Sequence, residues 1–244
     1  MTARVTLATA RRVAAQLRRD RRTMAMILVV PPALLALFKY VFDEQPQSFA
    51  RVGTPLAGLF PLIIMFLVTS IAMLRERSSG TLERLMSLPL SKLDLLAGYG
   101  LAFAAVAAVQ AAVTSAVAFW LLDVQTDGPV WTVAALAIAN AILGMASGLF
   151  LSAFATSEFQ AVQFMPAFLL PQIVLAGLFI PREQMPGVLE TIADFLPLTY
   201  AFDALAKVAA DDIDGRFWLD AGVIGACVAL ALGLGAMTLR RRTA

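Results

Sequence analysis

Six apolar runs, each close to 20 residues long or longer, constrain this chain more than any other feature of its sequence. They cover residues 24–42, 55–74, 97–122, 130–155, 161–180 and 217–239. An α-helix of about 20 residues crosses the roughly 30 Å hydrocarbon layer of a bilayer. Because 60% of the residues are hydrophobic and only 15% are charged, part of the solvent must be lipid. The sequence therefore predicts an all-α polytopic membrane protein with six transmembrane helices.

Basic and acidic residues are distributed unequally between the two sides of the membrane that these predicted spans define. The side that holds the N-terminus receives 14 of the 19 basic residues but only 5 of the 17 acidic residues. Cytoplasmic loops carry the excess of Lys and Arg in membrane proteins. We therefore expect both termini in the cytoplasm of a multi-pass cell (inner) membrane protein. The positions of the basic residues are explained by the orientation of the chain in the membrane, so no nucleic-acid partner is expected.

Residues 1–23 have the pattern of an amphipathic helix on the cytoplasmic surface. Five small or apolar residues share one face: Leu7, Ala10, Val13, Ala14 and Leu17. Arginines gather on the flank beside them, which is typical of a helix lying in the membrane interface. Such a helix anchors the chain on anionic lipid, touches a cytoplasmic partner, or does both.

Residues 75–96, RERSSGTLERLMSLPLSKLDLL, form a charged loop between two apolar spans. Gly80 can cap a short helix that has Glu83 in its first turn, where a negative charge suits the helix dipole. Leu82, Leu85 and Met86 then share one apolar stripe, and Pro89 ends the helix. Either the segment is a solvated connector or it is a docking element for a soluble protein.

Two stretches resemble one family, the ABC-2 type permeases, which are the membrane subunits of ATP-binding-cassette exporters. The first stretch is the loop at 75–96, and the second covers residues 175–205. The similarity is closest to the daunorubicin-exporter-like drug efflux branch. The matching residues are Glu76, Gly80, Thr81, Leu82, Glu83, Leu85 and Pro89, then Gly177, Phe179, Pro181, Met185, Pro186, Leu196, Pro197, Leu198, Thr199, Tyr200 and Asp203.

The resemblance implies a single transmembrane domain over residues 1–244 and an energy source that lies on another subunit. The loop at 75–96 would couple the permease to a separate ATPase subunit, present in two copies, that binds ATP and Mg. A second permease subunit, either the same chain or a relative, would complete the complex. The chain itself has no G-x-x-x-x-G-K-[ST] phosphate loop, so we expect it to bind no cofactor and to be no enzyme. The implied coupling residues are Arg75, Glu76, Gly80, Thr81, Leu82, Glu83, Leu85 and Pro89.

Residues 181–216 are too long for a turn and too polar for a span. They contain two short helical patterns separated by Pro197, neither of which reaches 20 residues. In the resembling family such a pair forms an outer re-entrant hairpin, while an interfacial cap that seals the bundle is the alternative. The residues singled out are Pro181, Pro186, Pro197, Tyr200 and Asp203, of which Asp203 is expected to be a structural hydrogen-bonding residue.

Four amide side chains sit at membrane depth and could line a substrate route: Gln110, Asn140, Gln163 and Gln172. Helix packing is the favoured alternative for Asn140, because it shares an i, i+4, i+8 face with Gly144 and Gly148 and small residues let helices approach closely. With no histidine and a single cysteine, no metal site is expected. An exporter of hydrophobic drugs or lipid-like compounds is the favoured function. The alternatives are an ion-coupled secondary transporter and a non-transporting membrane assembly protein.

Overall fold

The computed structural model describes residues 3–44, 46–81, 84 and 92–238, and this part of the chain is built from helices without any strand. The all-α prediction is therefore confirmed. The helices are α1 Ala3–Arg19, α2 Arg21–Val41, α3 Pro46–Ser78, α4 Lys92–Ala116, α5 Val130–Leu151, α6 Glu158–Leu175, α7 Gly187–Ala193, α8 Pro197–Ala209 and α9 Gly215–Thr238. A π-helical turn, Val117–Leu121, extends α4, and a short 3-10 helix, Arg182–Gln184, precedes α7.

Within the described residues, five helical segments are long and apolar enough to cross a membrane. They are Arg21–Val41, Val52–Ser78, Asp94–Leu121, Val130–Leu151 and Gly215–Thr238. The remaining predicted span, 161–180, lies largely in α6, which has 18 residues and contains Pro166 and Pro171. The helix stops at Leu175, and Gly177 then turns the chain with φ at +98°. The count of six spans accordingly stays a prediction.

Helices α3 and α5 form the centre of the bundle and run parallel to each other. A Cβ atom added at Gly144 would lie 2.1 Å from the carbonyl oxygen of Leu62, and one added at Gly148 would lie 2.4 Å from that of Phe66. From the first contact to the second, the residue number rises by four on α5 and also by four on α3, so the two helices run in the same direction. The small face predicted from Asn140, Gly144 and Gly148 is thus a helix-packing face, as expected.

The bundle has two chemically different ends. The basic end joins α1, the end of α3, the start of α4 and the start of α6. The acidic end joins the start of α3, the α4–α5 loop and α8, where Thr54 Oγ1 donates to the Gln125 carbonyl at 3.1 Å and Asp127 N donates to that of Ala209 at 3.0 Å. Segments predicted to share a side of the membrane therefore share an end of the bundle. Which compartment each end faces stays a prediction.

Residues Ala3–Arg19 form helix α1 with one buried face, and that face packs against other helices of the bundle; the interfacial position of α1 stays a prediction. Ala10, Val13 and Leu17 are buried in one cluster with residues of α4 and α5. The placement of Leu7 on that face was wrong, because its side chain is 68% exposed. Thr6 occupies the buried position instead, since the face follows the i, i+3, i+4, i+7 spacing that begins at Thr6.

Candidate functional site

Three helices meet at the basic end around the guanidinium of Arg12. Its Nη1 lies 3.6 Å from Oε1 of Glu76, at the end of α3. Its Nη2 donates a hydrogen bond to the hydroxyl of Tyr99 on α4, and its Cζ lies 5.6 Å from the centroid of the Tyr99 ring. The Glu76 side chain is 11% exposed and that of Arg12 is 34% exposed. Arg12 therefore ties α1 to α3 and α4 together in a partly dehydrated setting, where charge interactions are stronger than in water.

Helix α1 also lies directly on the first turns of α4. A Cβ atom added at Gly98 would come 2.5 Å from Cβ of Thr9 and 2.9 Å from the carbonyl oxygen of Thr6. Thr6 Oγ1 donates to Oδ1 of Asp94 at 3.5 Å. Only glycine at position 98 permits this approach, so the segment that follows the charged loop is held against α1 along two turns.

A two-point ion pair joins the end of α3 to the start of α6. Nε of Arg75 donates to Oε1 of Glu158 at 2.8 Å, and Nη2 donates to Oε2 at 3.0 Å. This bidentate geometry is the strong form of the Arg–carboxylate contact. The hydrogen bonds from Arg75 hold the pKa of Glu158 below its ordinary value. The predicted coupling residues Arg75 and Glu76 thus contact two other helices, α6 and α1.

The charged loop begins immediately after these contacts. Gly80 has φ at +70°, which ends α3 in the left-handed conformation that glycine adopts at little cost. The backbone N of Arg84 donates to the Gly80 carbonyl at 3.0 Å. Thr81, which directly follows Gly80, is helical, and the capping role of Gly80 stays a prediction. The other predicted coupling residues, Leu82, Glu83, Leu85 and Pro89, lie outside the described residues.

At the acidic end, the predicted outer segment is held by Arg182. Its Nη2 donates to Oδ2 of Asp203 at 2.8 Å, and its Nη1 donates to Oδ1 of Asp194 at 3.2 Å. The hydroxyl of Tyr200 donates to the Asp194 carbonyl at 2.6 Å. Asp203 is thus a structural hydrogen-bonding residue, as expected. The contacts link α7 and α8 into one unit.

Proline residues mark the boundaries of the elements in this outer segment. Pro181 precedes the 3-10 helix, Pro186 precedes α7, and Pro197 opens α8 at its first position. Proline suits that position because its nitrogen has no hydrogen to leave unpaired. Helix α8 buries Leu205 against Gly58 of α3, whereas α7 exposes most of its apolar side chains. The predicted pair of short helices is present; a re-entrant position in a membrane stays a prediction.

The four amide side chains predicted to lie at membrane depth are not gathered into one polar patch by any described hydrogen bond. Gln110 and Asn140 are fully buried, and neither amide group has a hydrogen-bond partner. Gln172 is buried and donates from Nε2 to the Phe168 carbonyl at 2.9 Å. Gln163 lies exposed on α6. A role in lining a route stays a prediction for all four.

Several contributors to these sites were not singled out by the sequence. Arg12 is one of seven arginines in the first 22 residues, and only its spacing of i, i+3 from Thr9 indicates that it reaches the buried face. Tyr99, Glu158 and Arg182 pair with residues 12 to 87 positions away. Their partners are set by helix packing and not by local pattern.

A family model described as ABC-2 type transporter matches residues 4–209. The chain is 27% identical over 160 residues to the "Probable multidrug ABC transporter permease YbhR" of Escherichia coli (strain K12), covering 64% of this chain and 43% of that protein. It is 24% identical over 192 residues to the "Linearmycin resistance permease protein LnrN" of Bacillus subtilis (strain 168), covering 75% and 48%. The chain therefore spans a little under half the length of these curated relatives.

Proposed function

The chain belongs to the ABC-2 type transporter family, and from that premise we propose that it is the membrane subunit of an ABC exporter. A separate ATPase subunit, present in two copies and binding ATP and Mg, supplies the energy. The sequence of this chain contains no phosphate loop of its own. The alternatives, an ion-coupled transporter and a non-transporting assembly protein, have no specific contact in the described residues that favours them.

The observation that carries this proposal is the three-helix junction of Arg12, Glu76 and Tyr99. A force applied to the loop at 75–96 reaches α3 and α4 directly, because that loop connects them. It reaches α1 through Arg12 and α6 through the ion pair from Arg75. The loop and four helices can therefore move together when the ATPases close. Packed helix interfaces of this kind favour discrete arrangements over continuous deformation.

The movement would pass through the bundle to the acidic end. Helix α3 contacts α5 along the glycine face at Gly144 and Gly148 without intervening side chains, so a shift of α3 is transmitted to α5. Helix α8 is seated on α3 through Leu205 and Gly58. Displacement at the basic end would in this way open a route past α7 and α8, which would form a re-entrant outer hairpin.

The complete complex would contain two permease subunits, with α6 as the sixth crossing. Helices α2 and α9 expose large apolar side chains: Leu37 and Tyr40 of α2 and Trp218 and Leu230 of α9 are each more than half exposed. Lipid and a second permease subunit, the same chain or a relative, would cover them. An apolar route with few fixed charges suits a hydrophobic drug or lipid-like substrate. The relatives' names, multidrug permease and linearmycin resistance permease, support that substrate class.

Site-directed crosslinking tests the docking of the ATPase. The sole cysteine, Cys227, is first replaced (Cys227→Ala), and one new cysteine is then placed either at Thr81 on the basic end or at Gly187 on the acidic end. An added Cβ at Gly187 meets nothing within 4 Å, so that control should fold. The crosslinking partner is a candidate phosphate-loop ATPase subunit co-expressed with the chain. Thr81→Cys should crosslink to it and Gly187→Cys should not; the reverse pattern, or equal crosslinking, would reject the proposal.

Coupling is tested by reversing one charge on the predicted docking loop. Glu83→Arg should uncouple ATP hydrolysis from efflux of a fluorescent hydrophobic dye in vesicles that hold both subunits. Glu190→Arg, the same change on α7 at the acidic end, serves as the matched control. If both variants transport dye at the wild-type rate per ATP hydrolysed, the loop has no coupling role.

A further inference from the structure

A cleft of about 450 Å³ opens at the basic end beside the three-helix junction. Its walls come from α1, α2, α3 and α4, and most of them are apolar. The apolar part of the lining includes Met26 of α2, Leu67, Val68 and Ile71 of α3 and Phe103 of α4. Its volume falls within the range of small-molecule sites in proteins. An apolar chain would match the apolar part of this lining.

The depth of the cleft matches one leaflet of a bilayer. Its α3 wall runs from Leu67 to Glu76, which is about 14 Å along a helix axis. Half of the hydrocarbon layer is roughly 15 Å. One acyl chain entering along this wall would therefore place its polar head at the level of the α1–α2 corner.

The α1–α2 corner at the mouth of the cleft is strongly basic. Asp20, a lining residue, is flanked by four arginines in the sequence RRDRR, residues 18–22. All four arginines are exposed. The Asp20 carboxylate accepts hydrogen bonds from N and Oγ1 of Thr23 at 3.1 and 2.6 Å. The four arginines outnumber this one carboxylate, so the net charge of the corner is positive and attracts an anionic headgroup.

Helical spacing picks out the arginines nearest the mouth. Arg19 lies three residues after Gln16, and Arg22 lies four residues before Met26; both Gln16 and Met26 line the cleft. Residues three and four apart are neighbours on a helix surface. Arg4 and Arg11 lie on the same exposed side of α1 but two to four turns from the corner, beside a separate surface groove.

We propose that this cleft is a binding site for one anionic phospholipid, with an acyl chain against α3 and the phosphate between Arg19 and Arg22. The lipid would fill the space between α1 and the end of α3, beside Glu76 and Tyr99, which also line the cleft. Its occupancy would hold α1 against the junction. The site would make the stability of the basic end depend on the lipid composition of the membrane. This inference stands on the cleft and its charges, apart from the proposed export function.

Native mass spectrometry of the delipidated chain tests the site without any ATPase or nucleotide. The probes are phosphatidylglycerol, phosphatidylcholine with the same acyl chains, and inorganic phosphate. One phosphatidylglycerol per chain should bind in preference to the other two. Equal binding of phosphatidylcholine would overturn the role of the arginines, and equal binding of inorganic phosphate would overturn the role of the acyl chain.

Two charge-matched variants locate the headgroup. Arg19→Gln with Arg22→Gln should weaken phosphatidylglycerol binding by about 25-fold, taking roughly fivefold for each arginine near a lipid phosphate. Arg4→Gln with Arg11→Gln removes the same amount of charge from the exposed side of α1, away from the corner, and should leave binding within about twofold of the wild type. Equal losses in the two variants would mean diffuse attraction and no site.

A filling substitution locates the acyl chain. Ala72→Leu projects into the cleft and should abolish tight binding, whereas Gly100→Leu fills a different groove of about 410 Å³ between α4 and α9 and should not. Retention of tight binding in Ala72→Leu would overturn the proposal. Should that variant fail to fold by circular dichroism, the exposed arginine pairs still decide the question.

Discussion

Replacing Gly144 by alanine tests the contact that holds the centre of the bundle together. The new Cβ would lie 2.1 Å from the Leu62 carbonyl oxygen, whereas ordinary contact begins near 3.4 Å. The obstacle is backbone and cannot rotate away, so α3 and α5 must separate by about 1 Å or more. Overpacking of this kind costs about 1–3 kcal/mol, and here we expect the upper end of that range.

Gly100→Ala on α4 supplies the matched control. Its new Cβ would meet nothing within 4 Å, so the variant keeps only the gain of roughly 0.5–1 kcal/mol that alanine brings to a helix interior. That gain also applies to Gly144→Ala and partly offsets its clash. The two variants should then differ in free energy of unfolding by about 3 kcal/mol, since only the clash separates them. This corresponds to roughly 6–12 °C in Tm for a chain of this length.

Thermal unfolding in detergent, followed by tryptophan fluorescence, measures the difference. Gly148→Ala should behave like Gly144→Ala, because its Cβ would lie 2.4 Å from the Phe66 carbonyl oxygen. The double variant should cost less than the sum of the two, since one separation of the helices relieves both clashes. A Tm for Gly144→Ala within about 2 °C of that for Gly100→Ala would refute the close parallel packing of α3 and α5.

Three further outcomes follow from the basic end. In a double-mutant cycle, Arg12→Gln and Glu76→Gln should show a coupling of about 1–2 kcal/mol, less than for a fully buried pair because a third of Arg12 is exposed; additive effects on unfolding would exclude the contact. Arg75 lowers the pKa of Glu158 in the folded chain. The ion pair therefore contributes its full stability above pH 4.5, the ordinary pKa of this carboxyl, and that contribution is lost as the pH falls through the lower pKa of the folded state. Glu158→Gln should remove this part of the acid sensitivity of Tm. Asp20→Ala should lower stability by about 1 kcal/mol through loss of the α2 cap, while Asp20→Ser should retain most of it, and equal losses in the two would exclude capping.

The glycine face on α5 shows how far sequence reasoning reached into the interior. Asn140, Gly144 and Gly148 were assigned to a packing face from spacing alone, and the structure seats two of them on the backbone of α3. Small residues at i, i+4 and i+8 always fall on one side of a helix. The identity of the partner helix was not predictable, because any of the apolar helices could have met that face.

Helix α1 shows where local pattern was insufficient. Its amphipathic character was evident, yet the pattern could not distinguish lipid from α4 as the surface that covers the apolar face. Lipid tails and packed side chains are equally apolar, so the sequence satisfies both. The buried position of Thr6 in place of Leu7 followed from contacts with Asp94 and Gly98, which lie about 90 residues further along the chain.

The sequence by itself determined that this chain is helical, that its long helices are apolar enough for a membrane, and that its charges sort to opposite ends. Those properties depend on length, periodicity and composition, which are local. Only the tertiary structure decided that Arg12, among seven neighbouring arginines, meets Glu76 and Tyr99, and that Arg182 holds Asp194 and Asp203. Such contacts depend on how the helices are rotated and spaced against one another. That arrangement is set by all the packing faces together, so no single stretch of the sequence indicates it.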